Sequence, residues 1–589
     1  MARRGAVDAV VLNAASDVDG AVHTQVWFGP AARPLAGWVS VPAGGQARGG
    51  VVLCPPMGEE GRAVHRTYRR LAETLAGLGL VALRLDYDGT GDSAGRGDEP
   101  DRVPAWLGSI DAARDHLLDL GVPTVAAVGM RLGATLAAHR AAHWEGAGTA
   151  FGSLVLWDPC LSGRTFLREG QALHSFGDHL AVPDDGRIHT PGFQYDAGTS
   201  RGLRPVDFAR LPERPLADRV LLLSRDDRPR PEAVLTRLEH EGGRLATDVA
   251  LDQDRLLDLP PSDCLVPERA LARVADWLAA GVADQPPVPV KVPDGPRPAL
   301  VGSGGPGSAP VRERLVRIGR VGLVGMVTEP VGDVADDEPW VVLLNVAAEH
   351  YLGPGRQWVE WARAWAGGGR RTLRVDLSGI GDSPAHPGQT EDEPFAPQWL
   401  DDTSDLVAEL SAGGAPVVFV GLCSGAYSAF ESALHDPVAG VLAINPRLTL
   451  YGAAKGTALH TSRRRAAIVP HRPLARLAER HRVLAGGLWR IYRQLAVWHA
   501  PYRVLHRLVR RRGTAVRLLA CREDARHFLE VLAWRPALAR LRRDPRFDLE
   551  VDDVFDHSLL TAAGQRAALE RATDFLDRVA PPSRPGGTP

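Results

Sequence analysis

A cysteine acts as a nucleophile only as its thiolate, so a thiol meant for chemistry needs a base within reach and a turn that exposes it. Gly421-Leu422-Cys423-Ser424-Gly425 has the spacing of such a turn, between the apolar run 417–420 and a helical pattern. Glycines two residues before and two after the central position permit a strained strand-to-helix bend. That bend pushes the central side chain out at the sheet edge and aims the next backbone N–H at a developing oxyanion. Register selects the nucleophile: Cys423 is flanked by Gly421 and Gly425, whereas Ser424 would be flanked by Leu422 and Ala426. A later apolar run, 516–519, opens into Ala520-Cys521-Arg522-Glu523-Asp524. Residues 547–551 read as a final strand, followed by Asp556-His557-Ser558 and a helix over 562–576. Asp524 is then the acid that orients the base, and His557 the base that deprotonates Cys423, in the chain order nucleophile, acid, histidine. The expected oxyanion donors are the Ser424 N–H and a second N–H from the loop Val346-Ala347-Ala348.

The elements that position these residues occur twice. Leu83-Arg84-Leu85-Asp86-Tyr87-Asp88-Gly89-Thr90-Gly91-Asp92-Ser93 aligns with Leu373-Arg374-Val375-Asp376-Leu377-Ser378-Gly379-Ile380-Gly381-Asp382-Ser383, seven of eleven positions being identical at an offset of 290. Val128-Gly129-Met130-Arg131-Leu132-Gly133-Ala134 matches Val420-Gly421-Leu422-Cys423-Ser424-Gly425-Ala426 at an offset of 292. Two blocks holding nearly one offset mark a tandem duplication. Strands are expected at 51–53, 81–85, 125–128, 154–157 and 220–223, and again at 341–344, 373–375, 417–420, 441–444 and 516–519. Helical patterns at 68–78, 110–120 and 132–144 alternate with them. Continuous apolar strands alternating with helices imply a doubly wound, mostly parallel sheet in each half, with ligand-binding loops on one edge. The Pro/Gly/Ser-rich stretch 283–311 reads as a linker between domains 20–282 and 312–580. Together with the elbow, this pattern is that of two tandem α/β-hydrolase domains.

The first half lacks the catalytic parts. Gly129-Met130-Arg131-Leu132-Gly133 places a guanidinium where the nucleophile belongs, and arginine is neither nucleophile nor base. The segment expected to bring a histidine reads Pro260-Pro261-Ser262-Asp263-Cys264. Arg131 could hold a carboxylate or phosphate; an ion pair with Asp226, Asp227 or Asp263 explains it equally well.

Composition bounds the function. The 589 residues are 44% apolar and 24% charged, those of an ordinary globular chain long enough for two domains. No run of about 18 apolar residues could span a bilayer, and Asp8 and Asn13 interrupt the only candidate for a secretory signal. Five scattered cysteines fit a reducing, cytoplasmic setting and neither a disulfide framework nor a cysteine-rich zinc site. Only Lys291 and Lys455 among 69 basic residues are lysine, so arginine abundance reflects coding bias. That bias does not explain residues 447–512, which carry 16 basic residues against the single acid Glu479 in a chain of net charge −2. This segment is expected to be a helical cap over the second active site. Its charge suits an electrostatic funnel for an anionic acyl thioester on CoA or a carrier protein, a surface for anionic lipid, or docking on the acidic remainder of the same chain. No nucleic-acid motif accompanies it, and no metal or organic cofactor motif is present: there is no P-loop and no dinucleotide-binding glycine fingerprint.

Pro55-Pro56-Met57-Gly58-Glu59-Glu60, the two Gly-x-Gly-Asp-Ser blocks, Gly353-Pro354-Gly355-Arg356 and the two elbows resemble the α/β-hydrolases associated with bacterial exosortase and exopolysaccharide systems. The resemblance covers most of both domains. It implies a bacterial α/β-hydrolase and a branch in which cysteine also occupies the elbow; it implies little about substrate. The expected function is an acyl hydrolase or acyltransferase acting on an ester or thioester through Cys423, Asp524 and His557, with an inactive first domain paired to it intramolecularly. A non-catalytic scaffold built from two decayed domains, and a lyase-type enzyme that forms no acyl adduct, remain the alternatives.

Overall fold

The computed structural model describes residues 16–18, 20–176, 185–228, 232–259, 263–304, 308–446, 504–529 and 534–582. Most of the expected cap, 447–503, lies outside the described residues.

Among these residues the chain forms two nine-stranded sheets of one topology. The first contains β1 (Ser16–Val18), β2 (Ala21–Phe28), β3 (Leu35–Pro42), β4 (Gly49–Cys54), β5 (Leu80–Leu85), β6 (Val125–Met130), β7 (Ser153–Trp157), β8 (Arg219–Arg225) and β9 (Leu245–Ala250). The second contains β10 (Ala299–Gly302), β11 (Pro310–Ile318), β12 (Leu323–Pro330), β13 (Trp340–Leu343), β14 (Arg371–Val375), β15 (Val417–Leu422), β16 (Gly440–Ile444), β17 (Ala515–Ala520) and β18 (Phe547–Val551). Spatial order is β1-β2-β3-β5-β4-β6-β7-β8-β9 and β10-β11-β12-β14-β13-β15-β16-β17-β18, so each element of one sheet has its counterpart in the other. The first three strands of each sheet pair antiparallel and the rest parallel.

The central parallel strands read as unbroken apolar runs because both faces are covered. Along β4, Val51 and Leu53 pack with Tyr68, Leu71 and Leu75 of α1 (Glu59–Gly77) and Val274 of α4 (Glu268–Ala280). Val52 points the other way, to Trp106, Ile110 and Leu117 of α2 (Arg102–Asp119) and Leu136 of α3 (Leu132–Ala142). In the second domain, α5 (Gln357–Gly367) and α9 (Ala562–Val579) share one layer with Val341, Leu343 and Val420, and α6 (Trp399–Leu410) and α7 (Ser424–His435) cover the opposite face.

The segment read from sequence as an irregular linker is partly ordered: Val288–Pro289 pairs with Gln46–Ala47, and β10 extends the second sheet. The two domains pack on one another through the duplicated blocks. Arg84 donates to Asp382 at 2.6 Å, and Arg374 donates to Asp92 at 2.7 Å. These are the same pair of repeat positions used twice in opposite senses, as in an isologous two-fold dimer. Arg356 and Arg363 of the second domain add donations to the backbone carbonyls of Gly91, Asp92, Ser93 and Gly95, and the Tyr351 hydroxyl donates to Asp92 at 2.6 Å.

Candidate active site

The elbow after β15 is forced by its two glycines. A Cβ on Gly421 would collide with the backbone of Gly425 and Ala426, and one on Gly425 would lie 2.7 Å from the Asn345 carbonyl oxygen. Only with both positions bare can the chain turn from strand into α7 in so small a space. The turn is taken up at Cys423, whose φ of 52° is rare for a residue with a side chain. Cys423 is part-exposed, and its N–H is held by the Ile444 carbonyl at 3.0 Å. Ser424 opens α7, so its N–H belongs to the positive end of that helix.

Two loops meet at the elbow. Asp524 lies in the first turn of α8 (Arg522–Leu529), directly after β17, and His557 lies between β18 and α9. His557 Nδ1 is 2.5 Å from Asp524 Oδ2, and its ring lies against the Cys423 thiol. Burial disfavours the imidazolium here. Asp524 and Cys423 together override burial and hold the His557 pKa up at about 9. Asp524 is itself buried and accepts from the Cys521 thiol at 3.2 Å.

Asn445, at the end of β16, was not singled out by the sequence, yet it fixes this arrangement. Its Nδ2 donates to the carbonyls of Asp556 and His557, both at 2.8 Å, and its Oδ1 accepts from the Cys521 N–H at 2.7 Å. One fully buried amide thus ties the histidine loop to the acid loop. The available signal was a short polar residue directly after a buried strand, in a conformation asparagine tolerates: its φ is 46°.

Of the expected oxyanion loop, the Ala347 N–H donates to Ser424 Oγ at 2.6 Å, so this loop touches the elbow through a side chain of the elbow itself. Ala348 is buried beside it.

The first domain keeps the backbone device and carries an arginine at its centre. Arg131 has a φ of 53°, and Gly129 and Gly133 are as crowded as their counterparts. Its guanidinium bonds Glu60 at 2.7 Å and Glu169 at 3.0 Å, with Asp158 at 3.4 Å. These acids differ from Asp226, Asp227 and Asp263, the partners expected from sequence; Asp227 pairs with Arg225 instead. Where the second domain brings His557, the loop after β9 brings Gln253, whose Nε2 donates to Asp158 at 2.6 Å. With three carboxylates around one guanidinium, the surroundings of Arg131 carry no surplus of positive charge.

Strand order and a strained elbow, both present in each domain, with an acid–histidine pair in the second, are the arrangement of the α/β-hydrolase fold. No family model matches the chain, and no curated protein matches it. Among solved structures it is similar to Est1E from Butyrivibrio proteoclasticus with ferulic acid bound (17% identity over 44% of this chain and 98% of that one, TM-score 0.33). It is also similar to a Pyrobaculum calidifontis esterase (18% identity, 44% and 85%, TM-score 0.31) and to a putative hydrolase from Agrobacterium vitis S4 (16% identity, 44% and 99%, TM-score 0.31).

Cavities of about 180 and 520 Å³, and a more open one of about 410 Å³, lie between the domains. None of these is lined by Cys423 or His557. No helix among the described residues is long and apolar enough to cross a membrane.

Proposed function

We propose that the protein is an acyl hydrolase or acyltransferase that acts on an ester or thioester through Cys423, His557 and Asp524, with a first domain that is catalytically inactive. The observation that carries this reading is the contact line Cys423–His557–Asp524, with the 2.5 Å bond at its acid end and a strained, part-exposed thiol at the other. His557 takes the thiol proton of Cys423, and Asp524 favours the imidazolium so formed, whose pKa stands at about 9. The thiolate sulfur attacks the acyl carbonyl carbon, and the carbonyl π pair moves onto oxygen, facing the Ser424 N–H at the helix start. Collapse expels the alcohol or thiol, which takes its proton from His557. The neutral imidazole then activates water or another acceptor, and the acyl-cysteine is released by the same steps in reverse.

In the first domain, Arg131 supplies no nucleophile, Gln253 no base, and three acids neutralise the guanidinium. This domain serves instead as a structural partner, and its Arg131 as an internal ion pair rather than an anion site. All five cysteines are free thiols, which fits a reducing, cytoplasmic compartment. A CoA or carrier-protein thioester remains the donor class that the basic segment 447–512 would attract.

One contact favours the non-catalytic scaffold: Ser424 Oγ occupies the Ala347 N–H that an oxyanion would need. Intact-protein mass spectrometry after mixing with a panel of acyl-CoAs and activated acyl esters separates the two. An acyl mass on the wild type that is absent from Cys423→Ala and His557→Ala is the expected result. The enzyme reading falls if no adduct forms and Cys423 is alkylated no faster than the other four cysteines.

A further inference from the structure

The interface between the domains gathers three metal-ligating side chains that the proposed reaction does not use, with a further carboxylate, Asp376, beside one of them. His65 projects from α1 of the first domain; His350, Asp376 and Asp382 belong to the second. Donor atoms of His65, His350 and Asp382 all lie within 4.8 Å of one another. His65 Nε2 is 3.2 Å from Asp382 Oδ2; His350 Nε2 is 3.4 Å from Asp376 Oδ2 and 3.7 Å from Asp382 Oδ2. In a tetrahedral site with bonds of about 2.0 Å, neighbouring donors stand about 3.3 Å apart, and the spacings of Asp382 Oδ2 from the two imidazole nitrogens are of that order.

The bonding around the cluster points the same way. His350 Nε2, Asp376 Oδ2 and Asp382 Oδ2 are buried and engaged in no hydrogen bond of normal geometry. The Asp376 side chain is fully buried and that of Asp382 is 5% exposed. Such groups are costly unless something satisfies them. Each carboxylate is oriented through its other oxygen: Asn345 Nδ2 donates to Asp376 Oδ1 at 2.8 Å, and Arg84 Nη2 to Asp382 Oδ1 at 2.6 Å. That is how outer partners aim metal-binding carboxylates. The Tyr351 N–H also faces the Asp376 carboxyl. Gly381 permits the approach, because a Cβ there would strike the Asp376 carboxylate and come within 2.7 Å of His350 Cδ2.

We propose that this interface binds one divalent cation of the zinc class, held by Nε2 of His65 and of His350 and by Oδ2 of Asp382, with the fourth position left to solvent and the Asp376 carboxylate beside His350. Two imidazole nitrogens with one carboxylate oxygen suit zinc or cobalt, and not the all-oxygen preference of magnesium or calcium. Arg84 Nη1 faces His65 Nε2 at 3.4 Å. The ion replaces that contact and leaves Arg84 on Asp382 Oδ1. Because one ligand comes from the first domain and two from the second, the ion fastens the domains together.

The test uses the full chain, stripped with a chelator and titrated with Co²⁺ as the zinc surrogate. One equivalent should bind, with the intense visible bands of a tetrahedral nitrogen–oxygen site, no thiolate charge-transfer band, and displacement by Zn²⁺. His65→Gln and His350→Gln should each lose that equivalent, while Cys423→Ser keeps it. On the wild type, Zn²⁺ should protect His65 and His350 from diethyl pyrocarbonate, a readout that survives should a variant fail to fold. The proposal is overturned by no binding at micromolar metal, by weak six-coordinate bands, by a thiolate band that Cys423→Ser removes, or by protection confined to histidines of 447–506.

Discussion

His557 faces two groups that favour its protonated form, and removing either should be visible in a pH profile. Asp524→Asn takes away the carboxylate that helps hold the imidazole pKa near 9, so the alkaline limb of kcat/KM should move toward the ordinary histidine range. Activity at the optimum should fall about 10²- to 10⁴-fold, the usual contribution of an oriented general base. Stability carries the same sign. A pKa raised on folding contributes stability that is complete below about 6.5 and is lost as pH rises through about 9. Urea titrations at pH 6 and pH 10 should therefore differ more for the wild type than for His557→Gln; equal differences would separate the imidazolium from the fold. Asn445→Ala probes the scaffold of the site rather than its reagents. It strips partners from the Asp556 and His557 carbonyls and the Cys521 N–H, which should cost about 2–3 kcal/mol in urea unfolding. Acylation should slow in the same variant while Cys423 remains present, and an unchanged acylation rate would remove Asn445 from the positioning of His557.

At the level of elements, the elbow turns sequence into geometry through two absent side chains. Gly421→Ala would push a Cβ into the Gly425 and Ala426 backbone, which cannot yield as a side-chain tip would. It should destabilise by more than about 3 kcal/mol by chemical denaturation, well above the cost of Cys423→Ala. Gly129→Ala should do the same, since Gly129 meets Gly133 and Ala134 in the same way. Equal, small effects at both positions would mean that the turn relaxes. These elbows were legible because their constraint is local: five consecutive residues carry it. The central parallel strands were legible as well, because burial on both faces leaves unbroken apolar runs such as 417–420, whereas the parallel edge strand β9, interrupted by Thr247 and Asp248, was not. The antiparallel strands were not. β11, with Arg312, Glu313, Arg314 and Arg317, reads like a surface segment, yet Glu313 is fully buried because Arg363 and Arg374 close over it. Its polarity is satisfied by residues 50 and 61 positions away, which no window of sequence connects. The same holds for Gln253 against Asp158, and for His65 and His350, whose convergence exists only after two domains have folded and met.

The whole molecule behaves as a pseudo-dimer whose subunits share one chain, and its most exacting contact is the fully buried Arg374. This guanidinium bonds Asp92 of the other domain at 2.7 Å and Glu313 of its own at 3.0 Å, and lies over the Tyr351 ring. Burial works against the charge on Asp92, and Arg374 with the Tyr351 hydroxyl outweighs it, holding the carboxyl below its ordinary value. Arg374→Ala should therefore strand a buried carboxylate and cost about 3–5 kcal/mol, an effect of breaking a buried pair rather than the net worth of making one. Arg70→Ala, at an exposed cross-domain contact to Glu391, should cost no more than about 1 kcal/mol. Because the lost contact lies between domains, the cost should appear as lost coupling. Calorimetry on the wild type should give one transition, and Arg374→Ala should split it into two, one per domain. A pKa depressed on folding contributes stability that is lost as pH falls through the lowered value, so the wild type should split in the same way only in acid, below the ordinary carboxylate range. A single transition in Arg374→Ala, shifted but not divided, would mean that the apolar contacts of Trp38 with Leu315, Val324, Met326 and Tyr351 hold the pair together without the charges.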